Sequence, residues 1–224
     1  MTPEQLDALT VEARRIHERF SIEFVEDFGF CPWAKKARVE GRTATRVLPF
    51  GEGDATAPIL SAMKELGEDE SYEVTFILFP ILEIERKAFE RLTATLREEY
   101  AELYDGSPPM ALAAFHPSAP FNDSSAARAL PFVRRSPDPT IQMVRRSVLD
   151  SVRSTSDSGT GFLDLEKIDM ASILSAPPAK PPLHKRVAET NAETLRSEGK
   201  ERLEAVLADI CRDRDDSYSR LMKP

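Results

Sequence analysis

Three short polar motifs contain the residue types in this sequence that could carry chemistry. They are the pairs Cys31-Pro32 and His116-Pro117 and the triplet Arg135-Ser136-Pro137. A thiol is typical of a nucleophile or redox group, an imidazole of a general acid or base, and a guanidinium of an anion-binding group. Together they predict a reactive cleft, and each also has a simpler structural interpretation.

Cys31 precedes the segment 32–41, which begins with proline and ends with glycine and therefore predicts a short helix. Cys31 would then be the N-cap residue, facing unpaired backbone N–H groups and the positive end of the helix dipole, which favour a thiolate of lowered pKa. Lys35 and Arg38 follow within two turns, add positive charge and are candidate substrate-binding residues. The structural alternative is a small buried cysteine that packs against its aromatic neighbours.

His116 directly follows the apolar segment 110–115, which predicts a buried strand. Ligands of open α/β sheets bind beyond the carboxyl ends of strands, so this position suits a catalytic or ligating imidazole. The alternative is a histidine that only satisfies hydrogen bonds at a strand end. The other two histidines, His17 and His184, have charged helical surroundings and are predicted to face solvent.

The third motif predicts a helix start. Ser136 is a good N-cap residue, and the residues after it continue with helical spacing to about residue 152. A helix N-terminus offers N–H donors to anions, and the neighbouring Arg135 would add bidentate recognition of a carboxylate or phosphate. The alternative is an ordinary serine cap beside surface arginines.

No motif assigns a metal or a cofactor. The candidate ligands contain no closely spaced pair such as Cys-x-x-Cys, so no metal ligand is predicted. Phosphate-binding loops, dinucleotide fingerprints and the Gly-x-Ser-x-Gly elbow are absent from the sequence. The identity of any cofactor therefore stays open.

The elements that position these motifs alternate along the first part of the chain. The hydrophobic pattern predicts helices at 2–27, 55–66 and 84–104 and strands at 42–50, 73–80 and 110–115. This order predicts an α/β fold with a small central sheet of about three strands flanked by helices, and a C-terminal helical extension. The proline-rich stretch from 116 to 139 has no periodicity and is typical of a functional or disordered loop.

Composition divides the chain into three parts. Residues 1–153 are predicted to form the α/β core domain, 154–182 a Ser/Gly-rich and then Pro-rich linker, and 183–224 a charged C-terminal helix. The helix has one narrow apolar stripe, which packs inside the protein or joins two copies into a homodimer.

Bulk properties narrow the class of protein. The chain has 224 residues, 41% of them hydrophobic and 30% charged, as in ordinary globular domains. A net charge of −8 argues against nucleic acid as a partner, and no apolar run reaches the ~18 residues of a membrane span. Two distant cysteines without an export signal predict free thiols and a cytoplasmic location.

The order and spacing of the three motifs resemble a known family. The segments FCPWAKKARVEGRTATRVLPF, AAFHPSAPF and FVRRSPDPTIQMVRR are similar to those of the bacterial domain-of-unknown-function family 1415 over roughly residues 22–153. The resemblance implies that Cys31, His116, Arg135 and Ser136 occupy motif positions. It implies no particular reaction.

Three hypotheses of function follow from these residues. The first is an enzyme acting on a small anionic substrate, with Cys31 as nucleophile or redox group, His116 as acid or base, and Arg135 with Ser136 as the anion clamp. The second is a binding protein in which Cys31 and His116 ligate haem or a transition metal, or whose cleft holds a peptide or metabolite without chemistry. The third is an interaction protein that works through its C-terminal helix.

Overall fold

The computed structural model describes residues 1–49, 56–154 and 183–222. The helices in these ranges are α1 (Pro3–Arg19), α2 (Ala34–Val39), α3 (Thr56–Glu68), α4 (Arg86–Glu102), α5 (Ala126–Val133), α6 (Arg146–Ser154), α7 (Leu183–Glu198) and α8 (Lys200–Leu221). Directly after α1, the residues Phe20–Glu26 continue as a π-helix. The predicted linker lies outside the described residues from 155 to 182, as does the side chain of His184.

One mixed sheet forms the centre of the protein. Its strands are β1 (Thr43–Val47), β2 (Val74–Leu78), β3 (Met110–Phe115) and β4 (Thr140–Arg145), in the spatial order β1-β2-β4-β3. β1 and β2 are parallel, and β4 is antiparallel to both of its neighbours, β2 and β3. The predicted α/β class is confirmed, with one strand more than expected.

The additional strand, β4, corrects the predicted helix start at Ser136. The apolar residues Ile141, Val144 and Val148 match helical spacing, but Ile141 and Met143 also alternate with Gln142 in the period of a strand. Between β2 and β3, β4 fills both facing edges with backbone hydrogen bonds, which a helix could not do. The helix α6 begins only at Arg146.

The stretch without predicted structure contains the short helix α5. Ser125 caps it, its hydroxyl accepting the backbone N–H of Arg128 at 3.3 Å. Phe132 and Val133 at its C-terminal end are buried and hold the helix against the π-helix and the C-terminal helices. Pro131 lies inside this last turn, which disguised the helix in the sequence.

Helices cover both faces of the sheet. α3 and α4 pack on one face, where Ile77, Ile141 and Met143 join a core with Phe89 and Leu96. The opposite face carries α1, the π-helix, α5, α7 and α8, whose buried side chains form a second core.

The C-terminal segment is built into this second core. The predicted single helix is two helices, separated at Gly199, whose φ of 78° suits glycine. The apolar stripe of α8, formed by Leu203, Leu207 and Ile210, is buried inside the chain. Asp213 ties α8 to α1 by accepting 2.8 Å hydrogen bonds from both terminal nitrogens of Arg15. The apolar stripe of α8 therefore packs against the core of its own chain.

No helix in the described ranges is long and apolar enough to cross a membrane.

Candidate functional site

The face of the sheet beneath α1 and the π-helix carries a large cavity. Its floor consists of two rows of side chains that cross all four strands in register. The first row is Thr43, Val74, Val144 and Ala111, and the second is Thr45, Phe76, Gln142 and Ala113. All eight residues line one cavity of about 720 Å³.

The next row of the sheet shows why the cavity stops where it does. Val47 and Leu78 in that row are buried, and Leu9 and Ala13 of α1 pack in the same cluster. Among the described residues the two floor rows are covered less completely, since Phe76 is only partly buried, and β3 contributes only the methyl groups of two alanines to them. The cavity therefore lies over the amino-terminal halves of β1, β2 and β3, rather than beyond their carboxyl ends as expected.

The walls above the sheet are mostly apolar. They come from α1, the π-helix, the segment before α2, and α5, with Phe20, Val25, Phe30, Pro32, Trp33, Leu130 and Val133 as the larger apolar members. The polar members include His17, Cys31, Glu26, Arg38 and Arg134. Such a lining, apolar with a few polar groups, is typical of small-molecule sites.

Cys31 lies in this wall, half-buried, but it is not the N-cap of α2. The N-cap is Trp33, because the helix starts two residues later than predicted. The backbone N–H groups of Trp33 and Ala34 bond to the thiol and favour its thiolate, yet burial has the larger effect and raises the pKa of Cys31. The predicted lowering of this pKa is therefore wrong, since desolvation outweighs the two amide donors.

The two basic residues predicted beside Cys31 have different surroundings. Lys35 is exposed and does not line the cavity. Arg38 lines it, but its Nε and Nη2 donate hydrogen bonds of 2.7 and 2.8 Å to the buried carboxylate of Glu26. The guanidinium of Arg38 is thus already neutralised by an internal partner.

His17 corrects the prediction of a solvent-facing histidine. It is only 6% exposed, lines the cavity, and its ring lies 4.4 Å from that of Phe76. Burial lowers the pKa of His17 to about 4, so the imidazole is neutral at pH 7. Nε2 is buried and has no hydrogen-bond partner within the part of the chain that the structure describes.

His116 lies at the end of β3 and belongs to a second, smaller cavity of about 240 Å³. Its Nδ1 accepts the N–H of Ser118 at 3.1 Å, which places the ring proton on Nε2, and Nε2 donates to the carbonyl oxygen of Ile84 at 3.0 Å. Burial lowers the pKa of His116. Both ring nitrogens therefore have internal partners, and Cys31 and His116 line different cavities.

Arg135 and Ser136 are held by internal contacts. Arg135 donates from Nε to the carbonyl oxygen of Ala119 at 2.6 Å and pairs with Glu204 at 3.2 Å. The Ser136 side chain is buried and its hydroxyl donates to the carbonyl oxygen of Asp138. Because β4 follows instead of a helix, no helix N-terminus exists here, and the predicted anion clamp at Ser136 is corrected.

Arg134 takes the position that the sequence suggested for its neighbour. It is half-buried, lines both cavities, and its guanidinium has no acidic partner among the described residues. Burial and the nearby charge of Arg97 lower the pKa of Arg134. No local sequence signal distinguishes the two adjacent arginines, because only the fold decides which one lines the cavities.

Residues 14–161 match the model of a family described as a protein of unknown function (DUF1415). The chain belongs to this family. The DUF1415 match contains all four strands, Cys31, His116 and Arg134, and thus the floor of the large cavity. Comparison with curated proteins and with solved structures finds no match.

In this DUF1415 protein the described residues bring together no group of three or more His, Cys, Asp or Glu side chains that could hold a metal ion. Cys31 and His116, the residues predicted as alternative haem or metal ligands, are in separate cavities. The larger cavity has in its walls the thiol of Cys31 and two guanidinium groups, those of Arg14 and Arg134, that pair with no acid among the described residues.

Proposed function

We propose that this chain binds a small, largely apolar molecule in the sheet-face cavity. The observation that supports it is the cavity itself, whose volume of about 720 Å³ lies within the range of ~300–1,000 Å³ that is usual for ligand sites. The cavity is partly open and mostly apolar, and a ligand that covers apolar surface removes it from water, which is favourable.

The floor also supports an apolar ligand with a polar group. Gln142 lies on the central strand β4 and is the longest polar side chain of the two rows, while Ala111 and Ala113 beside it leave the space open. The amide of Gln142 offers both donors and an acceptor to the ligand. Arg134 at the α5 wall offers charge.

Thiol chemistry on the bound molecule is the second candidate function. Cys31 is in the wall of this cavity, and its sulfur is bonded by the N–H groups of Trp33 and Ala34, which would also stabilise negative charge formed during a reaction. This version of the enzyme hypothesis keeps Cys31 as nucleophile. His116 and Arg135 are not direct partners of the thiol in this hypothesis, because their side chains form hydrogen bonds to backbone carbonyl groups of other residues.

The single tryptophan provides a direct test of binding. Trp33 is the only tryptophan of the chain and lines the cavity, so its emission reports occupancy without a label. We would titrate the protein with 1-decanol and decanoate, which share an alkyl chain and differ in charge. Saturable changes in emission are the expected result.

A filled cavity is the matched control. Ala113→Phe places a ring in the space above β3, whereas Ala113→Ser keeps the volume nearly unchanged. We expect the serine variant to bind both probes and the phenylalanine variant to bind neither, with both remaining folded by circular dichroism. Equal titration curves for the two variants would refute binding at this site.

We also propose that the protein works in a reducing compartment such as the cytoplasm. Its two cysteines, Cys31 and Cys211, are both free and half-buried. Thiol counting with an alkylating reagent on protein extracted under non-reducing conditions should give two free thiols, and a disulfide would contradict the proposal.

A further inference from the structure

The smaller cavity is rich in positive charge. It lies between α4, α5 and the end of β3, and its ionisable members are Arg86, Glu90, Arg97, His116 and Arg134. His116 is neutral, because both ring nitrogens are engaged and burial lowers its pKa. Three guanidinium groups therefore meet a single carboxylate, in a protein whose net charge is −8.

The one carboxylate of this cavity, that of Glu90, already forms an ion pair. Glu90 pairs with Arg86 one turn away on α4. Arg97 donates only to the carbonyl oxygen of Leu112, at 3.3 Å, and Arg134 has no side-chain hydrogen bond or ion pair within the described ranges. Two guanidinium groups close enough to influence each other thus share a cavity whose one carboxylate, that of Glu90, attracts Arg134 but is ion-paired with Arg86.

Backbone hydrogen bonds fix the main chain at Arg134. The carbonyl oxygen of Arg134 accepts the N–H of His116 at 3.0 Å, and the N–H of Arg134 donates to the carbonyl oxygen of Pro131 at 3.1 Å. The next side chains back along α5, Phe132 and Val133, are buried. The backbone of Arg134 is therefore held beside the end of β3 before any ligand arrives, so that binding has to order only its side chain.

The volume suits a compact ion. At ~30 Å³ per water molecule, about 240 Å³ has room for roughly eight waters, or for one tetrahedral oxyanion with part of its hydration shell. Guanidinium groups bind such ions well, because their paired N–H donors match two oxygens of a phosphate or carboxylate.

We propose that the cavity between α4 and α5 is an oxyanion site in which Arg97 and Arg134 bind a phosphate, sulfate or carboxylate group. The backbone N–H of His116 holds the carbonyl oxygen of Arg134 at this site. The bound group is either a free ion or the anionic end of a molecule in the larger cavity, because Arg134 lines both. The site does not depend on the proposed function of the larger cavity.

The test is a calorimetric titration of the full chain with inorganic phosphate at low ionic strength. Arg97→Met and Arg134→Met should each weaken binding about tenfold or more, the usual effect of losing a charged hydrogen bond. Arg91→Met is the matched control, because Arg91 is an exposed residue of α4 outside the cavity and the variant loses the same charge. We expect its affinity to stay within about twofold of the wild type.

Two outcomes would overturn the site. One is the absence of phosphate binding to the wild type, and the other is an equal loss of affinity in all three variants, which would indicate only general surface charge. If Arg134→Met does not fold, Arg97→Met decides alone, because Arg97 is exposed and its loss leaves the core intact.

The Trp33 titration separates the two sources of the anion. If the anion is part of the larger ligand, phosphate should compete with decanoate but not with 1-decanol, and Arg134→Met should weaken only decanoate. If it is a free ion, both alcohol and acid should bind alike in the presence and absence of phosphate. Phosphate binding without any response of Trp33 would support this site while counting against the proposed function.

Discussion

The hydroxyl of Tyr218 donates a 2.8 Å hydrogen bond to Oδ2 of Asp138, and both side chains are buried. Tyr218 lies on α8, whereas Asp138 lies in the turn that leads into β4. Arg214, one turn before Tyr218, adds an ion pair of 3.6 Å to Oδ1 of Asp138 and a hydrogen bond to the carbonyl oxygen of Pro137. The motif around Ser136 thus joins the C-terminal helix to the sheet.

Removing the Tyr218 hydroxyl should show how much its hydrogen bond to Asp138 contributes to the free energy of unfolding. Tyr218→Phe leaves a buried carboxyl group without its donor, so we expect the free energy of unfolding at pH 7 to fall by about 1–3 kcal/mol. Urea unfolding followed by circular dichroism gives the value. Tyr72→Phe at the rim of the large cavity is the control and should change it by less than about 0.5 kcal/mol. Equal losses in the two variants would contradict the assignment.

The ionisation of Asp138 should lower the stability of the protein as the pH rises. Burial raises the pKa of Asp138 to about 6, above the value of ~3.9 of an unfolded chain. Because the fold favours the protonated acid, the stabilisation from Asp138 is complete below about pH 4 and is lost as the pH rises through about 6. We therefore expect Asp138→Asn to gain about 3 kcal/mol relative to the wild type between pH 4 and 7. Parallel stability curves for the two proteins would show that Asp138 does not titrate in this way.

His17 should act in the opposite direction over the same range. Its pKa of about 4 in the fold lies below the unfolded value of ~6.5. The fold favours neutral imidazole, so the stabilisation is complete above about pH 6.5 and is lost as the pH falls towards 4. His17→Phe should gain about 3 kcal/mol relative to the wild type from pH 7 to 4. An NMR titration in which the His17 ring titrates near pH 6.5 would disprove the assigned burial.

Local patterns predicted most of the fold, and the failures have physical causes. The strands and helices up to residue 115 follow simple periodicity and are present within a few residues of their predicted bounds. The helix predicted in place of β4 was wrong because Ile141, Val144 and Val148 fit a helix as well as a strand. Only the open edges of β2 and β3 decide between the two. Such an edge exists only in the assembled sheet, so a short stretch of sequence cannot reveal it.

The candidate site was harder to predict than the fold. Cys31 and His116, which stand out in the sequence by their residue types, each line a cavity, but their chemistry depends on burial. The thiol of Cys31 has a raised pKa because desolvation exceeds the effect of two amide donors. Arg134 could not be separated from Arg135 because the inward side of α5 follows from packing against the C-terminal helices.

Gly67, near the end of α3, should tolerate no side chain. A Cβ at this position would lie 2.1 Å from the hydroxyl oxygen of Tyr100. Alanine is the better helix former, yet we expect Gly67→Ala to lose about 1–3 kcal/mol of unfolding free energy because the clash outweighs that gain. Tyr100→Phe removes the clashing oxygen, so the double variant should regain at least half of the loss. Additive effects in this double-mutant cycle would show that the two residues do not touch.

Alkylation of Cys31 tests the thiol chemistry directly. In a Cys211→Ser background Cys31 is the only thiol, and its raised pKa predicts that iodoacetamide reacts slowly at pH 7 and faster as the pH is raised. A ligand in the large cavity should slow the reaction further, because Cys31 lines that cavity. Ala113→Phe, which fills the cavity, should slow it without any ligand, while Ala113→Ser should react like the parent. Rapid alkylation at pH 7 would mean that the two backbone N–H groups outweigh burial, and the enzyme hypothesis would then replace simple binding as the leading function.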